Sequence, residues 1–282
     1  REFHVYRPER SGQARTAVVR GSLVYAAFGD AGLHVLRIGG DGFVKCGELQ
    51  GRCVHDCAFV GNRLVTAEGV DGFGLYDLKD GIGFCEVARR PRLSPDETVA
   101  FWTWGFAENR VVLSGRNGSM RFVDPMKFAE DSALARFSFS CQWDKYLADR
   151  PVSGSLLVAV PGRGIAWIDV FADPPRETGR STNVQPRQTN GICSFGDDRF
   201  LATCLCDYVF LGANGEILGE KRPFPGLDRM MGAGGIPRSD GRYVVLTARS
   251  ARCAALYDFS DMEETLKGSD FDLALNYVPS KR

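Results

Sequence analysis

Five consecutive residues, Cys53-Val54-His55-Asp56-Cys57, gather two thiols, an imidazole and a carboxylate. These are donor types that hold zinc. The stretch runs into Ala58-Phe59-Val60, so it reads as a strand. Alternate side chains on a strand share a face, and Cys53, His55 and Cys57 are therefore expected to point the same way. Each step along that face covers roughly 6.7 Å, at a rise of about 3.3 Å per residue. A zinc–sulfur bond is only about 2.3 Å long. Three ligands on one straight strand cannot converge on one ion, so neither a metal nor another cofactor is expected. His55 and Asp56 remain candidates for polar groups lining a channel. Cys204 and Cys206 also share a strand face, and two such thiols lie too far apart to bridge each other without distortion.

Arginine is the next candidate chemistry, with 28 Arg against 7 Lys. Its guanidinium forms forked bonds to carboxylate, sulfate or phosphate. Arg116, Arg163 and Arg249 fall in loops between two strands of a repeating unit. Arg89, Arg90, Arg92, Arg180, Arg187 and Arg229 fall between repeats, on the same expected side, with Asn190 nearby. A ring of such groups could hold an anionic saccharide. Asp30, Glu68, Asp71 and Asp96 on that side dilute the charge. Trp102, Trp104, Trp143 and Tyr146 are expected on inner strands, where aromatic faces stack on sugars or pack against neighbouring sheets. Catalysis finds less support. The chain has three histidines, His4, His34 and His55, and no G-x-S-x-G elbow. Asp56, Glu97 and Asp144 could act as acids or bases only if folding brought them together.

These residues must be positioned by an internal repeat. Six segments align without gaps from Gly21, Gly61, Glu108, Gly154, Asp197 and Asp240, at offsets of 40, 47, 46, 43 and 43. The fifth column, Tyr25, Val65, Val112, Val158, Leu201 and Val244, is apolar throughout. A second strand follows each first, with the core column Val35, Leu75, Phe122, Trp167, Phe210 and Leu256. Turn pairs such as Gly29-Asp30, Asp71-Gly72 and Asn117-Gly118 separate the two. Further strands are expected at Phe43–Leu49, Phe84–Ala88, Ala135–Ser140, Glu216–Glu220 and Leu273–Val278, with inner strands before the repeat starts. The fourth copy reads poorly after its hairpin, where Asp173-Pro174-Pro175 intervenes. Four strands in about 40–45 residues is the size of one propeller blade. The expectation is an all-β, six-bladed β-propeller of four-stranded antiparallel blades, one domain over residues 1–282. Phe3–Tyr6 and Leu273–Val278 compete to supply the strand that closes the ring.

The second-strand motifs Gly32-Leu33-His34-Val35-Leu36, Gly72-Phe73-Gly74-Leu75-Tyr76-Asp77 and Ala166-Trp167-Ile168-Asp169-Val170 resemble the LVIVD repeat. Asp124-Pro125 and Asp173-Pro174 are similar to its blade-ending turn. The resemblance spans about residues 16 to 260 and implies the fold. It also hints at a secreted, cell-surface or periplasmic location, since such proteins are often extracytoplasmic. It implies no single activity.

Whole-chain properties exclude several function classes. Formal net charge is zero, so no global field favours nucleic acid or an anionic membrane. Apolar runs such as Leu156 to Val160 are far too short to span a bilayer. Nine cysteines, an odd number, do not make a disulfide framework. The expected function is a non-enzymatic binding or scaffold propeller, its ligand a protein or an anionic saccharide at one channel mouth. The expected site residues are Arg116, Arg163, Arg229, Arg249, His55, Asp56, Trp102, Trp143 and Asn190. The alternative is a lyase or hydrolase on an acidic glycan, with Arg clamps and a carboxylate or His55 as acid–base group. The chain begins at Arg1, so further domains of a longer protein are a third reading.

Overall fold

The computed structural model describes residues 6–10, 12–39, 42–91, 100–106, 110–115, 119–130, 133–138, 147–149, 155–160, 164–181, 191–194, 199–203, 208–212, 215–221, 238–239, 243–248 and 253–258. The chain groups into two compact units, Arg1–Gln142 and Trp143–Arg282. Every sheet in both is an up-and-down antiparallel meander, in which each strand pairs with its sequence neighbours.

The first unit holds three four-stranded sheets. The first consists of β1 (Thr16–Arg20), β2 (Leu23–Ala27), β3 (Leu33–Gly39) and β4 (Gly42–Leu49). The second consists of β5 (Asp56–Val60), β6 (Arg63–Ala67), β7 (Phe73–Lys79) and β8 (Gly83–Arg90). The third consists of β9 (Ala100–Phe106), β10 (Arg110–Gly115), β11 (Ser119–Val123) and β12 (Ala135–Ser138). The second unit holds β13 (Leu147–Asp149) to β16 (Arg176–Ser181), with β14 (Ser155–Val160) and β15 (Gly164–Asp169) between them. Its next sheet is β17 (Gly191–Ser194), β18 (Phe200–Thr203), β19 (Tyr208–Leu211) and β20 (Ile217–Lys221). The last sheet is three-stranded, made of β21 (Arg238–Ser239), β22 (Tyr243–Ala248) and β23 (Cys253–Asp258). Among the described residues the helical element is a 3-10 turn, Pro125–Lys127.

The repeat columns become cross-strand pairs. Tyr25 faces Val35, Val65 faces Leu75, Val112 faces Phe122 and Leu201 faces Phe210. In the fourth and sixth copies the pairing moves by one position, with Leu157 opposite Trp167 and Val245 opposite Leu256. The strands differ from the sequence expectation in two places. The fourth copy does have its outer strand: β16 begins immediately after Pro175, as an exposed edge where prolines are tolerated. The inner strand of the sixth copy is β21, at Arg238–Ser239, whereas 231–236, its expected place, lies outside the described residues. So does the candidate closing strand Leu273–Val278.

A β-bulge recurs at one place in four sheets. The pairing between third and fourth strands slips between Val35 and Leu36, Leu75 and Tyr76, Trp167 and Ile168, and Phe210 and Leu211. Each slip comes just after the core-column residue, and the residue opposite that column is small: Gly47, Ala88, Gly179 and Gly219. An extra residue on one strand increases local twist. A small partner lets the next sheet approach. A Cβ on Gly47 would collide with the Ile82 carbonyl oxygen in the β7–β8 turn of the second sheet.

Apolar faces pack sheet on sheet. In the first unit Tyr25, Ala27, Leu33 and Val35 meet Val54 and, from the second sheet, Cys57 and Leu64. On its other face, Val65, Ala67, Phe73 and Leu75 meet Val111, Leu113, Val123 and Phe128. The second sheet is thus covered on both sides. Polar contacts add orientation: Tyr25 OH donates to the Gly81 carbonyl at 2.6 Å, and Arg90 donates to the Phe128 carbonyl at 3.3 Å. First strands lie side by side, β1 by β5 and β5 by β9. In the second unit, Ile165 packs with Phe200, Ala202, Val209 and Leu211, and β13 lies beside β17 and β17 beside β21.

Gly47 and Gly179 occupy the same column in different surroundings, and a Cβ on Gly179 meets nothing within 4 Å. Gly47→Ala is expected to lower unfolding free energy by about 1–3 kcal/mol through overpacking. Gly179→Ala is expected to be neutral or stabilising by a few tenths. Urea denaturation of the two variants measures the difference.

Candidate functional site

Two hairpin turns of the first unit have the same construction. Phe28 N–H donates to the Gly32 carbonyl at 2.8 Å, and Glu68 N–H donates to the Gly72 carbonyl at 2.7 Å. Gly29 and Gly69 adopt φ near +60°, and Gly32 and Gly72 near +85°. These are left-handed conformations that glycine adopts at little cost. Phe28 and Glu68 therefore hold equivalent positions, one apolar and one ionisable.

Glu68 is fully buried, and its carboxylate is satisfied on both oxygens. Thr66 Oγ1 and Tyr76 OH each donate to Oε1 at 2.6 Å, and Arg89 Nη1 donates to Oε2 at 2.7 Å. Arg89 also donates to Tyr76 OH at 2.9 Å and to Glu86 Oε2 at 2.6 Å. Gly74 makes the space, because a Cβ there would meet both the Tyr76 ring and Glu68 Oε1. Arg52 stands further off, 3.6 Å from Glu68, 3.7 Å from Asp71 and 3.8 Å from Glu86. Burial, then the bond to Glu68, raises the Tyr76 pKa above its ordinary value. The Arg89 bond, against some burial, holds Glu86 below the usual carboxylate range. For Arg89, burial opposes the charge, but the bonds to Glu86 and Glu68 outweigh it and raise its pKa.

The network pins down the turn Gly69-Val70-Asp71-Gly72, of which Val70 and Asp71 are exposed. Val70 stands 66% exposed at its tip. Arg89 Nη1 also reaches the Asp71 carbonyl at 3.4 Å. Sequence reasoning placed Glu68, Asp71 and Arg89 on one side but missed Arg52, Thr66, Tyr76 and Glu86. The available signal was a Glu in a column held elsewhere by Phe28, Gly115, Pro161, Cys204 and Thr247.

The Cys53–Cys57 stretch does not keep strand alternation. Gly29 and Val54 bridge reciprocally at 2.9 Å, and His55 N–H donates to the Ala67 carbonyl at 2.8 Å, just before β5 begins. Val54 and Cys57 consequently enter the same core cluster. This corrects the expectation that Cys53, His55 and Cys57 share a face. Cys53 Sγ and His55 Nε2 lie 3.6 Å apart, whereas Cys57 Sγ turns to the Tyr25 carbonyl at 3.8 Å. Asp56 is buried and accepts the Cys57 N–H at 2.9 Å. His55 packs beneath the Glu68 turn, 3.2 Å from where a Cβ on Gly69 would stand. Burial, aided by a bond to Asp30, pushes the Cys53 thiol up to about 11. Burial, with the Asp56 charge, also pushes Cys57 well up. Neither is a thiolate nucleophile at neutral pH. Among the described residues no three His, Cys, Asp or Glu side chains are grouped to hold a metal.

The described arginines of the expected anion ring are engaged within the fold. Arg89 binds Glu68 and Glu86, Arg90 is buried against the Phe128 carbonyl, and Arg180 forms a fork with Glu177 at 2.9 and 2.8 Å. Arg116, Arg163, Arg229, Arg249, Trp143 and Asn190 lie outside the described residues. Trp102 is placed by its backbone on β9, opposite Ser114. The blade-ending aspartates divide in role. Asp124 and Asp169 accept N–H groups two residues on, from Met126 at 2.8 Å and Phe171 at 3.0 Å, and Asp77 pairs with Arg63 at 2.9 Å.

Sheets of this build recur in solved structures. The WD40 β-propeller domain of Doa1 matches at TM-score 0.65 and 10% identity, over 95% of this chain and 82% of that one. The RRP9 WD40 repeats match at TM-score 0.64 and 12% identity, over 96% and 82%. The fold is of the β-propeller type. A chain of a mitotic checkpoint complex also matches, at TM-score 0.64 and 10% identity, over 92% of this chain and 74% of that one. No family model and no curated protein matches the sequence.

Glu68→Gln keeps shape but removes one of the two carboxylates that Arg89 bonds, the buried one. A loss of about 1–3 kcal/mol is expected. Removing the exposed partner of Arg180, by Glu177→Gln, should cost at most about 0.5 kcal/mol. Denaturant midpoints compare the two. Alkylation at pH 8 followed by peptide mapping should modify exposed Cys85 well before Cys53 or Cys57.

Proposed function

We propose that this chain is a six-bladed propeller of LVIVD-like repeats that works as a non-enzymatic, protein-binding scaffold. Its contact surface is the edge that carries the turns Gly29–Gly32 and Gly69–Gly72. Six repeat copies, six meander sheets and the side-by-side first strands support the blade number. One observation carries the binding reading. A buried, fully satisfied carboxylate network holds Val70 out in solvent at the tip of a fixed turn. Several titratable groups behind that tip are spent on holding the backbone. Glu68 has its oxygens filled, Arg89 spans two carboxylates, and Asp56 caps its own neighbour. A rigid apolar tip rimmed by Asp71, Glu86 and Arg52 has the composition of a protein contact, an apolar centre inside a polar rim. The matching Doa1 and RRP9 domains lend the fold, and a third match is a chain of a mitotic checkpoint complex.

A photo-crosslinking residue at position 70, with position 79, where β7 enters the opposite turn of the same sheet, as control, tests the reading in cells of the source organism. A discrete protein adduct from position 70, lost in Glu68→Ala, is expected. Equal adducts from both positions, or none from 70, would overturn it. An experimental map with another blade number would overturn the six-blade assignment.

A further inference from the structure

Of the described residues before β1, 6–10 and 12–14 lie outside the strands. They run along the turn Phe28–Ala31. A Cβ on Gly12 would stand 2.5 Å from both the Phe28 carbonyl oxygen and Ala31 Cβ. Arg15 N–H donates to the Ala27 carbonyl at 2.9 Å. Further out, the anchor is Tyr6. Its ring lies 5.8 Å from Phe28 and edge-on to His34 at 5.7 Å, and its hydroxyl is 2.8 Å from His34 Nδ1. The other imidazole nitrogen, Nε2, lies 3.1 Å from the Ala31 carbonyl. A carbonyl can only accept, so Nε2 carries the proton and Nδ1 accepts from the Tyr6 hydroxyl. Around this anchor Arg7, Glu9 and Arg10 are exposed, while His34 is 4% exposed.

We propose that the segment Tyr6–Arg10 is a strap, closed over the first sheet by neutral His34 and released in mild acid. Protonation puts a hydrogen on Nδ1 and removes the acceptor that Tyr6 uses. It also places a cation among Phe28, Ala31, Leu36 and Tyr6. Other charges face the ring from two elements. Glu9 belongs to the strap, and Lys45 and Glu48 belong to β4, with Glu48 directly opposite His34 in the pairing. The carboxylates favour a charged ring and Lys45 opposes it. Lys45 also engages Glu48 at 2.7 Å and Glu9 at 3.9 Å. Burial outweighs these charges and holds His34 below its usual 6.5.

Release returns the ring to water and to the ordinary value, so protons bind the open form more tightly. The strap is fully stabilised above pH 6.5. That stabilisation falls as pH drops below 6.5 and levels off below the closed-form pKa. Opening uncovers Phe28, Ala31 and Leu36, the apolar side of the turn equivalent to the Glu68 turn. The device does not depend on the scaffold reading, because it uses the chain alone.

Hydrogen–deuterium exchange of the full chain, corrected for the intrinsic pH dependence, reads the strap directly. Protection of the peptide covering residues 6–14 should fall between pH 7.5 and 5.0, by up to about tenfold per unit of pKa depression. His34→Asn should abolish the step. Tyr6→Phe, which keeps the ring, should weaken protection at pH 7.5. Imidazole NMR gives a second measure that needs no histidine variant. The His34 pKa should lie below 6.5 and rise in Tyr6→Ala. Equal protection at both pH values, the same step in His34→Asn, or a His34 pKa unmoved by Tyr6→Ala would each overturn the proposal.

Discussion

A four-stranded sheet with apolar residues on both faces must be covered twice, because each exposed face would leave large side chains in water at about 25 cal/mol per Å². The second sheet shows how this requirement is met. One face packs against the first sheet around Tyr25 and Leu64, and the other against the third around Phe73 and Phe128. Close approach comes from the small-residue column opposite the core column. At Gly47 the neighbouring turn sits where a side chain would be. The bulge at that column adds the twist that a stack of sheets needs.

The same hairpin geometry carries two different chemistries. In the first sheet the turn position is Phe28, the next strand offers His34, and the fourth strand offers Glu48 across from it. In the second sheet the corresponding positions are Glu68, Gly74 and Arg89. His34 fills space that Gly74 leaves vacant, and Tyr76 with Glu68 takes up that vacancy. One backbone therefore supports an aromatic anchor with a single titratable ring in one sheet and an ion-pair lock in the next. Specific behaviour resides in these substitutions, since the fold by itself fixes no function.

The architecture was readable because it repeats. Apolar columns such as Tyr25 to Val244 carry a period that a single sheet cannot bury alone, and their cross-strand partners match the observed pairing in four copies. The outer strand β16 escaped notice because Asp173-Pro174-Pro175 signals a break, and a proline in an edge turn does not prevent the next residues from pairing. Cys53–Cys57 misled for a related reason. Regular alternation was assumed where the Gly29–Val54 bridge ends one pairing before β5 starts another.

By itself the sequence determined the class of fold and the hairpin turns at Gly29 and Gly72, because those depend on local conformational preference and on the spacing of apolar residues. Only the tertiary structure decided which polar groups meet. Glu68, Tyr76 and Arg89 are separated by up to 21 positions, and Tyr6 reaches His34 across 28. Such meetings depend on strand register, on one bulge and on the missing Cβ of a glycine. None of these leaves a periodic mark in a chain, whereas burial makes each of them decisive for charge.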